Sequence, residues 1–414
     1  MRQRFIACVL FGALFAGARP DVSGQSITQR GFVEGSTFLY PQTAPNDDVR
    51  VVGDVLARED AVIKPAVWVQ FAGGVDFRAN SHGQVDDSWQ LDFSDRTRLR
   101  PRLSVRRLAA TLHRGRFTLD AGKQFIRWGK TDIVTPTDRF APRDFMNVVT
   151  NEFIAVTGAR GTVQAGGETI EAVWVPRFTP SRLPLVDQRW TPIPASAIGV
   201  PIVEAAAPLP SGSQSGLRWS HVGSAIEFAA SFFDGFNHLP NIESDVRPSP
   251  PQITLTRVYP AVRTYGADAA VPTRWFTIKG EAAYVTSTSP NTDEYVLYVV
   301  QLERQSGEWV FVGGYAGEAV TARRALLTFA PDRGMSRSIV ARASYTIDPN
   351  RSVAFETAVR ENGDGVYARA EYSQARGQHW RATVGAALIA GDEHDFLGQY
   401  HRNSHATVAV RYSF

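Results

Sequence analysis

The chain reads as all-β: a single transmembrane antiparallel β-barrel of about 18 strands with short periplasmic turns and long outer loops, about 16 being the alternative because residues 31–64 and 264–273 admit two readings. Three observations predict this. Apolar and polar residues alternate with period two over most of the 414 residues. Tight turns take turns with long polar or proline-rich stretches. The last strand is alternating and ends in phenylalanine.

Composition sets the frame. Hydrophobic residues are 43% and charged residues 21% of the chain, too polar for a helical membrane protein and too apolar for a disordered one. The start reads as a secretory signal. Arg2 and Arg4 form a positive cluster, an apolar run of 14 residues covers 5–18, and a polar turn covers 19–25. The run is short for a spanning helix. Cleavage after Ala18 or near Gln25 fits equally. The expected division is therefore residues 1–25 as a removed signal and 26–414 as the barrel. The one cysteine, Cys8, lies in the signal, which excludes disulfides and cysteine-based metal or redox chemistry from the remainder. Neither a metal nor any other cofactor is expected. Arg2, Arg4 and Arg19 account for the formal charge of +3, so the charge balance gives no reason to expect nucleic acid. Beyond the signal no long apolar run remains, and a closed barrel is then the one way to span a membrane.

The strands follow in order. In residues 67–78, Val67, Val69, Phe71, Val75 and Phe77 share one face, opposite Gln70, Asp76 and Arg78. In 98–106, Leu99, Leu103 and Val105 oppose Arg98, Arg100, Arg102, Ser104 and Arg106. Four arginines on one strand face cannot enter a dry core without partners, whereas a wet lumen accepts them. The alternation returns in 116–124, 339–347, 353–359, 366–372 and 380–388. Tight turns are expected at His113-Arg114-Gly115, Gly166-Gly167, Val222-Gly223, Asp348-Pro349-Asn350 and Arg376-Gly377. Outer loops are expected near 80–97, 128–151, 180–214, 235–263 and 322–334. In the terminal strand, Val408, Val410, Tyr412 and Phe414 share the outward face. Tyr412 and Phe414 are the expected signal for the barrel-assembly machinery. Outer-membrane lipid and lipopolysaccharide are the other expected partners.

The sharpest local feature is residues 121–130, AGKQFIRWGK, followed by a loop to Asn147 stiffened by Pro136 and Pro142. Arg127, Lys130, Arg139 and Arg143 are interleaved there with Asp132, Asp138 and Asp144. A strand ending Gly-Lys-Gln-x-x-x-Trp-Gly before a Pro-x-Asp turn resembles the porin-like Gram-negative outer-membrane barrels of the alginate-export type, and an uncharacterised family related to them. The resemblance implies a large monomeric barrel whose charged loop narrows a pore; it does not imply alginate.

Candidates for the pore lining or constriction are thus Arg98, Arg100, Arg102, Arg106, Arg127, Lys130, Asp132, Asp138, Arg139, Arg143 and Asp144. Fixed charges on a narrow aqueous path sort solutes by size and sign. Pairing of the same residues to hold the loop's shape is the competing reading. Residues 180–210 carry seven prolines among Leu183, Leu185, Trp190, Ile193, Ile198 and Ile202, which fits a loop packed into or over the barrel mouth. His394, His401 and His405 lack the helical spacing of a metal site, and no hydrolase or phosphate-binding motif is present. The expected function is a passive channel for small polar or anionic solutes, with no catalytic residues. An outer-membrane hydrolase with an unrecognised site and a plugged structural or adhesive barrel are the alternatives.

Overall fold

A computed structural model describes residues 26–206, 208–324 and 333–414; the expected signal, residues 1–25, lies outside them. Eighteen antiparallel strands close into a barrel. They are β1 (Ser26–Leu39), β2 (Val51–Ala66), β3 (Val69–Asn80), β4 (Leu103–Arg114), β5 (Phe117–Gln124), β6 (Val156–Ala165), β7 (Glu168–Val175), β8 (Gln214–Val222) and β9 (Glu227–Phe236). The second half holds β10 (Ala261–Pro272), β11 (Thr277–Ser287), β12 (Glu294–Ser306), β13 (Trp309–Ala322), β14 (Ser338–Asp348), β15 (Arg351–Arg360), β16 (Gly365–Arg376), β17 (Trp380–Gly391) and β18 (His405–Ser413). Each strand pairs with its chain neighbours, and β18 pairs with β1 to close the sheet, Val33 facing Tyr412 and Leu39 facing Ala406. Closure removes the edges whose unpaired N–H and C=O groups a bilayer could not satisfy.

The period-two pattern explains the two surfaces. Along β18 the residues alternate between exposed (Ala406, Val408, Val410, Tyr412) and half-buried (Thr407, Ala409, Arg411). Phe71, Leu108, Ile170, Leu217, Val300, Ile339, Phe355 and Leu388 are among the many large apolar side chains exposed on the outside. Such a belt is stable only against lipid. Exposed aromatics gather at the short-turn end: Trp68, Phe117, Trp275, Trp309, Trp380, Tyr412 and Phe414. They form the interfacial girdle expected where the headgroups meet the periplasm.

The turns Gly115-Arg116, Gly166-Gly167, Gly307-Glu308 and Pro349-Asn350 lie at this end, and so do both ends of the barrel sheet. The opposite end carries the long connections 40–50, 81–102, 125–155, 176–213, 237–260 and 392–404. Ile202–Glu204, Asn241–Pro248 and Pro251–Val258 join there in a separate three-stranded sheet.

One expected strand is shorter than its alternation suggested. Residues 98–102 are not part of β4, which begins at Leu103 opposite Phe77. Pro101 cannot donate to the ladder. Arg100 instead donates its backbone N–H to the Gln84 carbonyl at 2.9 Å. Two residues of the same loop, Leu91–Asp92, run parallel beside Leu103 and Ser104. Val67 likewise lies in the turn before β3, fully exposed.

Candidate functional site

Two of the long outer loops fold into the lumen. The first, residues 125–155, leaves β5 at Gln124 and runs along the inner wall of β6–β12. Ile126, Trp128 and Phe140 pack against Val156, Val173, Val175, Phe233, Val262, Val285, Tyr295 and Leu297 of that wall. Trp128 and Phe140 meet edge to face at 5.1 Å, as do Phe140 and Phe233 at 4.9 Å. This buried cluster supplies the hydrophobic reason for the loop to sit inside the barrel. Ile133, Val148 and Val149 then reach a second cluster on the β14–β17 side, with Trp190, Tyr367, Ile389, Leu397 and Tyr400.

The second loop, residues 176–213, forms a lid. Its segment 186–191 is fastened to three other outer loops. Asn46 Nδ2 donates to the carbonyls of Val186 (2.9 Å) and Gln188 (2.8 Å). Gln84 Nε2 donates to Gln188 Oε1 at 2.8 Å. Asn403 Nδ2 donates to the Arg189 carbonyl at 2.9 Å. Arg189 itself is buried, its guanidinium 3.7 Å over the Tyr40 ring and its backbone N–H on Asp47 Oδ2 at 3.0 Å. Asp47 also takes His82 Nε2 at 2.8 Å.

Between the return leg of the first loop, the lid, and the wall from β16 through β18 to β3 lies a cavity of about 430 Å3. The loops contribute Asn147, Thr150, Asn151, Glu152, Arg189 and Trp190, and the wall contributes Glu34, Asp54, Arg78, Arg369, Glu371 and Arg411. The charges are organised as pairs. Arg411 Nε is 2.7 Å from Glu34 and Arg369 Nη2 is 2.7 Å from Glu371. Opposite them, Arg78 Nη2 is 2.6 Å from Glu152. Arg58 and Arg78 both contact Asp76 and Glu152, at distances from 2.6 to 3.4 Å. Burial works against ionisation of Glu152, but Arg78 and Arg58 outweigh it and bring the carboxyl down to about 2.

The predicted residues divide in this frame. Arg100 and Asp144 are buried together, with Nε to Oδ2 at 2.8 Å and Nη2 to Oδ1 at 3.0 Å. Arg182 joins Asp144 at 3.3 Å and Asp95 at 2.6 Å, and Lys123 reaches Asp95 at 2.6 Å. Burial opposes the charge on Asp144, yet Arg100 and Arg182 hold it far below the usual carboxylate range. Arg106 pairs with Asp60 at 3.1 Å and lies 4.8 Å over Phe125. Arg98 is half exposed, 3.4 Å from Glu204. Arg102 pairs with Asp87 and covers Trp89, which stacks on Phe77. Phe77 is on the lipid-facing side of β3, so Arg102 is turned away from the lumen.

Within the loop, Arg127 and Arg143 lie over Phe153 at 3.7 and 4.2 Å. Arg127 also pairs with Asp138 at 3.0 Å, and Arg143 donates to Asn151 Oδ1 at 3.0 Å. Burial raises Asp138 to about 6 despite Arg127. Lys130 pairs with Glu227, and Asp132 pairs with Lys279 at 2.8 Å. Arg139 sits beside the buried His238. Tyr412 and Phe414 are on the outer face, Tyr412 4.9 Å from Trp380.

Only Arg100 of the eleven pore candidates lines the cavity. Sequence reasoning placed Arg78 on the polar face of its strand without making it a pore candidate, and missed Glu34, Glu152, Arg369, Glu371 and Arg411. Arg369, Glu371 and Arg411 carried a signal, since each sits at an inward position of an alternating strand. Among the described residues no group of three or more His, Cys, Asp or Glu is placed to hold a metal ion.

No protein-family model matches the chain, and no characterised protein matches it in sequence. In fold it is similar to several solved porins. OpdQ of Pseudomonas aeruginosa shares 9% identity at a TM-score of 0.53, covering 94% of this chain and 98% of that one. OccAB4 of Acinetobacter baumannii shares 11% at 0.55, covering 95% and 99%. A BenF-like porin from Pseudomonas fluorescens Pf-5 shares 9% at 0.56, covering 94% and 98%. The fold is that of a porin-like barrel. A closed sheet with an apolar belt of this kind belongs in a bacterial outer membrane.

Proposed function

We propose that the protein is a passive channel for small polar solutes, with the cavity between the inward loop and the β16–β3 wall as its eyelet. The observation that carries this reading is the lining itself. Charged and hydroxyl or amide side chains from both loop and wall face one space of about 430 Å3, an arrangement that suits transient, exchangeable contacts with a hydrated solute. Arg78, Arg100, Arg189, Arg369 and Arg411 line it with Glu34, Asp54, Glu152 and Glu371. Most of these are already paired, so the balance supports little preference for either sign. A strong anion preference, which the arginine-rich sequence suggested, has less support.

Planar-bilayer recording of the purified barrel tests the proposal. Discrete conductance steps are expected, with a zero-current potential near zero in a salt gradient. Absence of steps from correctly folded protein would leave the plugged barrel as the better reading. Lipid and lipopolysaccharide around the belt, and the barrel-assembly machinery at the terminal strand, are the partners we propose.

A further inference from the structure

We infer that Glu281, on the wall strand β11, is the positioning residue that holds the constriction loop flush against the β9–β12 side of the lumen. This rests on the channel reading and names what sets the free cross-section. The Glu281 side chain is buried, 3% exposed, and faces the loop. Its Oε2 accepts from the backbone N–H of Lys130 at 2.9 Å and of Thr131 at 3.1 Å, and lies 2.8 Å from Thr131 Oγ1. Its Oε1 accepts from the Thr137 N–H at 2.8 Å and the Thr137 hydroxyl at 2.9 Å. One carboxylate therefore ties together both ends of the segment 130–137 and fixes it to the wall.

The chemistry is specific to a carboxylate. Its five hydrogen-bond contacts are all with N–H or hydroxyl groups, so an amide would set its own NH2 against donors. Gly129 permits the approach. Its φ is +114°, and a Cβ there would lie 2.9 Å from Glu281 Oε1, which gives a physical reason for the Trp-Gly step in the motif. Flanking contacts only reinforce the same line: Asp132 N–H to Gln301 Oε1 at 3.0 Å, and Asp132 to Lys279. The apolar packing of Trp128 and Phe140 holds the segments on either side; within residues 130–137, Lys130 also pairs with Glu227 and Asp132 with Lys279 and Gln301, and Glu281 is the group that takes both ends of the segment at once. Losing it removes the acceptor for three loop N–H groups and opens space behind the loop in addition to the eyelet.

The experiment compares single-channel conductance of the wild type, Glu281→Ala, and a Thr131→Cys/Glu281→Cys pair. The cysteine pair is made in a Cys8→Ala background, Cys8 being the one native cysteine. Glu281→Ala is expected to raise unit conductance about twofold, with a larger solute cut-off, because a loop that gates cross-section no longer seals one side. Dibromobimane, which bridges two thiols, is expected to return the cysteine pair to the wild-type value. A merely structural role would not produce this rescue. Should Glu281→Ala fail to fold, Thr131→Val/Thr137→Val removes both hydroxyls without touching the wall and is expected to shift conductance in the same direction. Folded Glu281→Ala with unchanged conductance and cut-off, in a barrel whose wild type conducts, would overturn the inference while leaving the channel reading intact. A non-conducting wild type would defeat the channel reading first.

Discussion

Asp144 stands at the centre of a buried charge cluster in the lumen. It accepts from Arg100 and Arg182 in a site where all three side chains are less than a tenth exposed. Removing one member of a buried charge cluster strands the others, at about 3–5 kcal/mol where no other partner is near. Asp95 and Asp54 still contact the arginines, so Asp144→Asn is expected at the lower end, about 3 kcal/mol. It should appear as earlier loss of the unboiled gel band on heating; an unchanged melting profile would mean the cluster contributes nothing net. Asp144 was legible in the sequence as a loop charge, but its partners were not. Arg182 is 38 residues away and Arg100 is 44, and alternation says nothing about which loops meet. Phe414 is a second case. It exchanges backbone hydrogen bonds with Gly31 at 2.9 and 3.1 Å, and its ring crosses that glycine so closely that a Cβ would lie 2.4 Å from it. Both deletion of Phe414 and Gly31→Val should therefore lower the yield of folded barrel in the outer membrane while leaving export unaffected. Undiminished insertion of both variants would count against a role for this seam.

At the scale of elements, the strands were readable because a single periodicity governs them. The strands ending the chain needed only outward Val408 and Val410 and inward Arg411. The failure at residues 98–102 has a physical source: period two persists through Pro101, but a ladder needs N–H donors as well as alternating side chains. The inward loop 125–155 was readable as unusual, not as docked, because its hydrophobic contacts are with distant strands. Two of its groups pull in opposite directions with pH, and Asp132 and Asp144, both lowered, act in the same sense as Glu152. Glu152, lowered from 4.5 to about 2, contributes docking stability that is fully present above 4.5 and lost only as pH falls toward 2. Asp138 is raised from 3.8 to about 6, so the docked loop takes up a proton more readily than a free one. Its docking strengthens as pH falls through 6 and is weakest above it. Buried His238, beside Arg139 and lowered from 6.5 to about 4, and His405, also lowered by burial, pull the other way over the same interval, so the test is a difference: on going from about pH 7.5 to about pH 5, the heat stability of the unboiled band should gain more, or lose less, in the wild type than in Asp138→Asn. Identical pH profiles for the two proteins would show that Asp138 contributes nothing to docking.

For the whole molecule, closure followed from parity and from the turn pattern, both visible in the chain, whereas the path of a solute did not. That path depends on which inward charges remain open once pairs form across loops. Arg369 and Glu371, and Arg411 and Glu34, are partly exposed pairs on the wall of the eyelet. Arg102, by contrast, pairs with Asp87 near Trp89 on the outer side. Replacing Arg369 and Arg411 with glutamine leaves Glu371 and Glu34 uncompensated beside the solute. The zero-current potential in a salt gradient should then move toward cation preference. The movement should be larger in dilute salt, because the screening length falls to about 10 Å at about 0.1 M, comparable to the width of such an opening. Arg102→Gln should leave the potential unchanged, and Arg100→Gln should change heat stability more than selectivity, since its guanidinium is already committed to Asp144. If Arg102→Gln moves the potential and the Arg369/Arg411 double variant does not, solutes pass elsewhere than between the loop and the β16–β3 wall.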